Sequence, residues 1–223
     1  MLESGSIHSQ LSFRDKILSL DYVLVCSILL LGIISMFAMY STDNGNFNYH
    51  TKSHISRFVV FFIFFLLISF LNLKIWHQTS TLIYLFFFIL LLGVKYFGLS
   101  SSGSQRWINF YFINLQPSEL MKVGLILFLA KYYHRVPLQD VNKIKFLFLP
   151  IISLIAPILL VITQPDLGTS LLIAAGGVSV AWLAGVRIKF FAYLSIIFIS
   201  LLPIAISFLK PYQKARILTF LNP

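Results

Sequence analysis

Charge is what this 223-residue chain has least of: 11% of its residues are Asp, Glu, Lys or Arg, against about 25% in a soluble globular domain. A water-soluble fold of this length must cover its core with a solvated surface, and the chain lacks the polar side chains to make one. An ordinary soluble domain is excluded. Acids are scarcest, seven against 17 Lys and Arg, which gives a formal charge of +10. That excess suits anionic lipid headgroups and phosphate-bearing lipids, and in a membrane setting it argues against nucleic acid as a partner. The one cysteine, Cys26, stands inside an apolar run; it can form no internal disulfide and counts as packing. No repeat of fixed period runs through the chain, so solenoids and duplicated halves are unsupported. Residues 98–105 are rich in Gly and Ser but lack the Gly-Lys-Ser/Thr of a nucleotide loop, so they read as a flexible loop. His50 and His54 have no companion Cys or acid pattern, and no metal site is read there.

What the chain has instead is apolar bulk: 58% of residues in the AVILMFWYC set, 23 of them Phe, and a mean hydropathy of +0.89. A membrane helix takes about 20 apolar residues and its loop roughly ten more, so the length allows about seven spans. The apolar runs predict them at residues 21–40, 55–73, 81–97, 118–133, 146–162, 168–186 and 190–209. In the second run, thirteen of the fourteen residues 58–71 are Phe, Val, Ile or Leu, enough to outweigh Arg57 near the end, which can snorkel outward. The first run exceeds the core of about 7 to 15 residues expected of a cleaved signal peptide and reads as an uncleaved helix. Pro150, Pro157 and Pro203 fall inside apolar runs, where each frees a carbonyl and bends the helix, as a bundle can tolerate.

The expected fold is therefore all-α, a polytopic transmembrane helical bundle forming one integral membrane domain over residues 1–223. With the N-terminus inside, the inner segments hold nine Lys and Arg and the outer segments four before the final tail, so the N-terminus is expected in and the C-terminus out. Residues 134–145 read as a solvated basic connector. Gly177, Ala181 and Gly185 form a small-residue stripe that lets another helix approach, most simply one of the same chain.

Five of the seven acids lie at ends or in loops, but Glu119 and Asp166 open the fourth and sixth predicted spans. Capping alone would explain an acid at a helix start, because the positive end of the dipole stabilises it. An acid at membrane depth is also a functional candidate. Lys122 lies three residues after Glu119, on the same helix face, and two charges without a use would be costly there. On the expected topology Arg106, Glu119, Lys122 and Asp166 gather near the outer face, where acids beside cations can bind an anionic lipid headgroup.

Four strings carry a resemblance: Ser104-Gln105-Arg106-Trp107-Ile108, Gln116-Pro117-Ser118-Glu119-Leu120-Met121-Lys122, Gln164-Pro165-Asp166-Leu167-Gly168-Thr169, and Pro211-Tyr212-Gln213-Lys214-Ala215-Arg216-Ile217 with Phe220-Leu221-Asn222-Pro223. In order and spacing they resemble the SEDS family, and the closing string resembles its cell-elongation branch more than its division branch. The resemblance implies a bundle of about ten spans in the bacterial inner membrane that polymerises lipid II, the undecaprenyl pyrophosphate-linked precursor, into glycan. It also implies a class B penicillin-binding protein and other elongation-complex membrane proteins as partners. By position, Arg106, Glu119, Lys122 and Asp166 match polar residues of the family's central cavity, with Gln116 and Gln164 of the same strings as further substrate-binding candidates. The implied chemistry is inverting glycosyl transfer: a carboxylate takes the acceptor hydroxyl proton while cations stabilise the departing lipid pyrophosphate. No resident cofactor is expected, though a divalent cation is compatible with that chemistry. The chain corresponds to the N-terminal seven of the family's ten spans, with residues 210–223 opening the long periplasmic loop. The family's catalytic aspartate lies beyond Pro223, so the isolated chain is expected to polymerise nothing. Two alternatives remain at this point, a transporter that flips the precursor unaltered and a non-catalytic scaffold docking another helix on the small-residue stripe.

Overall fold

A computed structural model describes residues 13–101, 104–110, 113–164 and 166–207. The closing string, the 210–223 loop and Pro165 of the third motif lie outside the described residues. The chain divides into two compact units, Met1–Gln78 and Thr79–Pro223.

The first unit holds α1 (Phe13–Leu18), α2 (Tyr22–Thr42) and α3 (Tyr49–Ser69). Asp21 starts α2 by accepting the Leu24 amide at 3.1 Å, one of the N-H groups the first turn leaves unpaired. Gly32 is the buried residue of α2, and a Cβ there would fall within the ring of Phe58 on α3. Most other large side chains of the two helices, Val23, Leu31, Phe37 and Phe64 among them, point outward, as lipid-facing residues do. Arg57 donates to Ser53 Oγ at 2.6 Å, back toward the start of α3, the direction expected of a snorkelling side chain. His54 Nε2 shares a 3.0 Å hydrogen bond with Ser35 Oγ of α2.

The turn between α2 and α3 uses left-handed backbone at Asn44 (φ 57) and Gly45 (φ 74), conformations that Asn and Gly adopt at least cost. It is locked by Asp43, whose Oδ2 accepts the Thr51 hydroxyl at 2.6 Å and the Thr51 amide at 2.9 Å. Those two bonds, the hydroxyl's first, hold the Asp43 carboxyl below its ordinary value of 3.8. A carboxyl lowered by folding adds stability above its unfolded value, and that stability is lost as pH falls through the folded one. Unfolding of the wild-type chain in detergent should therefore become easier as pH drops below about 4, and Asp43→Asn should lose most of that acid-limb dependence. An unchanged pH profile in Asp43→Asn would contradict the assignment.

The second unit contains most of α4 (Leu73–Phe97), then β1 (Leu99–Ser101), β2 (Ser104–Phe110), β3 (Ile113–Leu115), α5 (Pro117–Arg135), α6 (Ile144–Thr163), α7 (Leu167–Leu183) and α8 (Ile188–Ser207). The strands correct the all-α expectation and the flexible loop read at 98–105. They form an antiparallel meander in the order β1-β2-β3, pairing Ser100 with Gln105 and Asn109 with Asn114. Trp107, Ile108 and Phe110 of β2 are residues a strand favours, and ladder pairing satisfies backbone groups that an unpaired loop would leave bare.

Each predicted apolar run overlaps one of the long helices. By length and composition α2, α3, α4 and α6 can each cross a membrane, while α7 is apolar but has 17 residues. α5 carries Glu119, Lys122, Lys131 and Arg135, which dilute its apolar character. α5 is nevertheless the helix around which the core forms. Met121, Leu125, Leu129 and Tyr133 recur every four residues along it and are buried with Leu91, Val161 and Ile173 of α4, α6 and α7. Gly177 of the small-residue stripe is buried, and a Cβ there would stand 2.5 Å from Leu154 Cδ1 of α6. That close approach is within the chain, as expected. Gly185 is not part of it: with φ +89 it lies just past α7, where a left-handed residue ends a helix.

The prolines of α6 have specific partners. Proline has no N-H, so the carbonyl four residues earlier goes unpaired in the helix; for Pro150 and Pro157 these are the carbonyls of Phe146 and Ser153. Tyr132 of α5 donates its hydroxyl to the Phe146 carbonyl at 2.9 Å, and Tyr84 of α4 donates to the Ser153 carbonyl at 2.8 Å. At the other side of the fold Asn142 ties two connectors together, donating to the Gly185 carbonyl at 3.3 Å and accepting the Arg187 amide at 2.7 Å.

Candidate functional site

The site is assembled where β2, the start of α5 and the start of α7 meet. Asp166 stands before α7 with non-helical backbone (φ −119, ψ 74) and caps it, its Oδ1 accepting the Thr169 amide at 3.2 Å. The second carboxylate oxygen collects three more partners. Oδ2 accepts the Thr169 hydroxyl at 2.8 Å and the Gln116 amide Nε2 at 3.3 Å, and lies 3.6 Å from Nη1 of Arg106. Asp166 is 6% exposed; an anion withdrawn from solvent that far needs donors and a counter-charge, and it has both. Arg106 projects from β2 with its side chain 27% exposed, so the ion pair has one buried and one accessible end.

Gln116 is the residue before α5, where Pro117 takes the first helical position, for which its missing N-H suits it. Its Nε2 also lies 3.2 Å from Ser118 Oγ, and Ser118 is 2% exposed. Glu119, in the first turn of α5, is joined at 2.8 Å by Lys122 one turn on, with side chains 52% and 24% exposed respectively.

The structure thus places the six predicted residues in three settings. Arg106, Gln116 and Asp166 converge on one carboxylate. Glu119 and Lys122 form a more accessible pair on α5, a short step from Gln116. Gln164 is buried and donates to the Leu91 carbonyl of α4 at 3.2 Å, tying the end of α6 to α4. The two acids therefore differ in kind: Asp166 is buried and surrounded by donors, whereas Glu119 is the exposed carboxylate. Sequence reading passed over Thr169 and Ser118, although Asp166-Leu167-Gly168-Thr169 has the spacing of a side-chain cap. Among the described residues, no group of three or more His, Cys, Asp or Glu is placed to hold a metal ion.

Residues 16–223 match the family of cell cycle proteins that groups FtsW, RodA and SpoVE. The chain belongs to that family. Curated relatives include the probable peptidoglycan glycosyltransferase FtsW of Buchnera aphidicola subsp. Schizaphis graminum, 33% identical over 84% of this chain and 54% of the relative. Another is the peptidoglycan glycosyltransferase MrdB of Escherichia coli K12, 27% identical over 95% of this chain and 56% of the relative. The chain therefore spans about half the length of the curated relatives it matches. Among solved structures it resembles a chain from a peptidoglycan synthase complex that coordinates polymerization and crosslinking, with a TM-score of 0.71 and 25% identity over 91% of this chain and 58% of that one. It shares its fold with a mutant form of the rod shape determining protein RodA of Thermus thermophilus, with a TM-score of 0.72 and 21% identity over 86% of this chain and 61% of that one. The SEDS resemblance and the family match agree.

Proposed function

We propose that the chain supplies the precursor-holding part of a peptidoglycan glycosyltransferase, acting on lipid II in the bacterial inner membrane alongside a class B penicillin-binding protein. The observation that carries the proposal is the pairing of two unlike acid and cation sets at neighbouring helix starts. Arg106, fixed by Asp166, whose carboxylate Gln116 also holds, and Lys122, fixed by Glu119, present two cations to the pyrophosphate. Glu119 is the carboxylate exposed enough to meet a sugar hydroxyl, while Asp166 acts as a positioning residue, holding Arg106 through a buried ion pair. Gln164 contributes indirectly, by joining α6 to α4 just before the capped start of α7. The names of the relatives support the reaction class, and the similarity to a synthase complex supports a partner that crosslinks.

This reading carries the seven-span topology with the N-terminus inside. Counting along the chain, that topology puts β2, the start of α5 and the start of α7 on the periplasmic side, where the sugar headgroup of a flipped precursor lies. Whether the protein serves elongation or division is assigned here to elongation, on the closing string at 211–223.

The test is binding of lipid II by the chain in nanodiscs. Wild type should bind, and Glu119→Ala and Lys122→Ala should each weaken binding several-fold, since each removes a group facing the headgroup. Transport of labelled precursor across a liposome bilayer, unaltered, would favour a flippase instead. Equal binding by wild type and both variants would reject the site.

A further inference from the structure

At the far end of the second unit from the Asp166 cluster, an apolar cavity of about 170 Å³ opens between α5, α6, α7 and α8. Its walls include Leu129, Leu154, Ala181, Val186, Phe190 and Leu194, and among the described residues no charged side chain lines it. At about 30 Å³ for a water-sized group, it has room for roughly five or six methylene-sized units. A helix about 10 Å across cannot enter such a space, whereas a single hydrocarbon chain can.

The connectors that lead into these walls are basic. Arg135 follows the lining residue Tyr133 by two positions, Lys145 precedes the lining residue Leu147 by two, and Arg187 and Lys189 stand directly beside Val186 and Phe190. All four of these cations are exposed, as is Lys143. The acid among them, Asp140, is held by Lys143 at 2.6 Å. An apolar slot of chain width, flanked along the chain by strongly basic connectors, matches a molecule with a hydrocarbon tail and an anionic head.

We propose that this cavity is a binding site for an anionic phospholipid of the leaflet facing the 136–143 connector. One acyl chain occupies the slot between α8 and the α5-α6-α7 core, and the phosphate lies against Arg187, Lys189 and Lys145. The site is distinct from the precursor site: it is built from the opposite ends of α5 and α7 and shares no residue with the Asp166 cluster.

Native mass spectrometry of the whole chain in detergent, titrated with phosphatidylglycerol or phosphatidylcholine, tests this directly. Phosphatidylglycerol adducts are expected at concentrations at least tenfold lower than phosphatidylcholine adducts. Ala181→Phe, which fills the slot, should remove that adduct at least tenfold. Leu194→Trp does the same from a wall residue that is 50% exposed, and so reports even if Ala181→Phe fails to fold. Arg187→Gln with Lys189→Gln should bring phosphatidylglycerol binding down to the phosphatidylcholine level while leaving the slot intact. Equal binding of the two lipids by wild type would overturn the proposal. So would retention of the adduct by folded Leu194→Trp, or crosslinking of Leu194→Cys to a protein helix in place of lipid.

Discussion

Asp166→Asn should bind lipid II at least tenfold more weakly than wild type while reaching the membrane and melting close to normally. Asparagine caps a helix about as well as aspartate, so its side-chain oxygen can still accept the Thr169 amide that Oδ1 accepts at 3.2 Å. What the substitution removes is the charge beside Nη1 of Arg106, 3.6 Å away. Arg106 then loses the Asp166 carboxylate from among the groups that fix its direction, and a cation must be held in place to recognise a pyrophosphate. Asp166→Ala should be worse in a second way. It loses the cap, worth about 1 kcal/mol, and it breaks the ion pair with Arg106. A broken buried pair costs about 3–5 kcal/mol, and the partial exposure of Arg106 puts the expectation at the lower end. Thermal unfolding in detergent measures that second loss and lipid II titration in nanodiscs measures the first. If Asp166→Asn binds like wild type, the acid is a helix cap and nothing more.

The second large effect is expected far from the ligand. Tyr84→Phe removes the hydroxyl that meets the Ser153 carbonyl at 2.8 Å, and that carbonyl has no helical partner because Pro157 stands four residues on. A buried acceptor left unpaired costs about 1–3 kcal/mol in proteins generally; in a membrane bundle, where interhelical bonds average less, about 1–2 kcal/mol is expected. The cause can be isolated. In a Pro157→Ala background, residue 157 regains an N-H and can bond the Ser153 carbonyl itself, so Tyr84→Phe should cost much less there. A double-mutant cycle on unfolding in detergent should therefore give a coupling of about 1 kcal/mol or more. Additive effects would mean that the tyrosine does not serve the carbonyl freed by the proline.

The helices were legible in the sequence, because runs such as 58–71 leave lipid as the only workable solvent and about 20 residues as the natural length. The strands at 99–115 were not. Their residues up to Gln105 are mostly Gly and Ser, which signal a turn, and their order comes from pairing with β2, a relation between segments that no local pattern states. The site divides the same way. Asp166 and Glu119 stood out as acids opening apolar helices, and Lys122 followed from helical spacing. That Asp166 would pair with Arg106, 60 positions earlier, and that Gln164 would turn to the Leu91 carbonyl, are products of tertiary packing. The tyrosines that serve the two prolines illustrate the limit most clearly. The sequence shows which carbonyls are freed, and only the packing of α4 and α5 on α6 shows which hydroxyls reach them. Gly185 was misassigned because its spacing from Gly177 suits a stripe, while its left-handed backbone makes it a helix stop.

The most direct test concerns the two cations. Lipid II affinity in nanodiscs should be compared for wild type, Arg106→Gln, Lys122→Gln and a control, Lys74→Gln, whose residue lies in the first unit. A loss of at least tenfold for Arg106→Gln and of several-fold for Lys122→Gln, with Lys74→Gln unchanged, is the expected result. Wild-type affinity in both cluster variants, or an equal loss in all three, would show that the pyrophosphate is not held at the starts of α5 and α7.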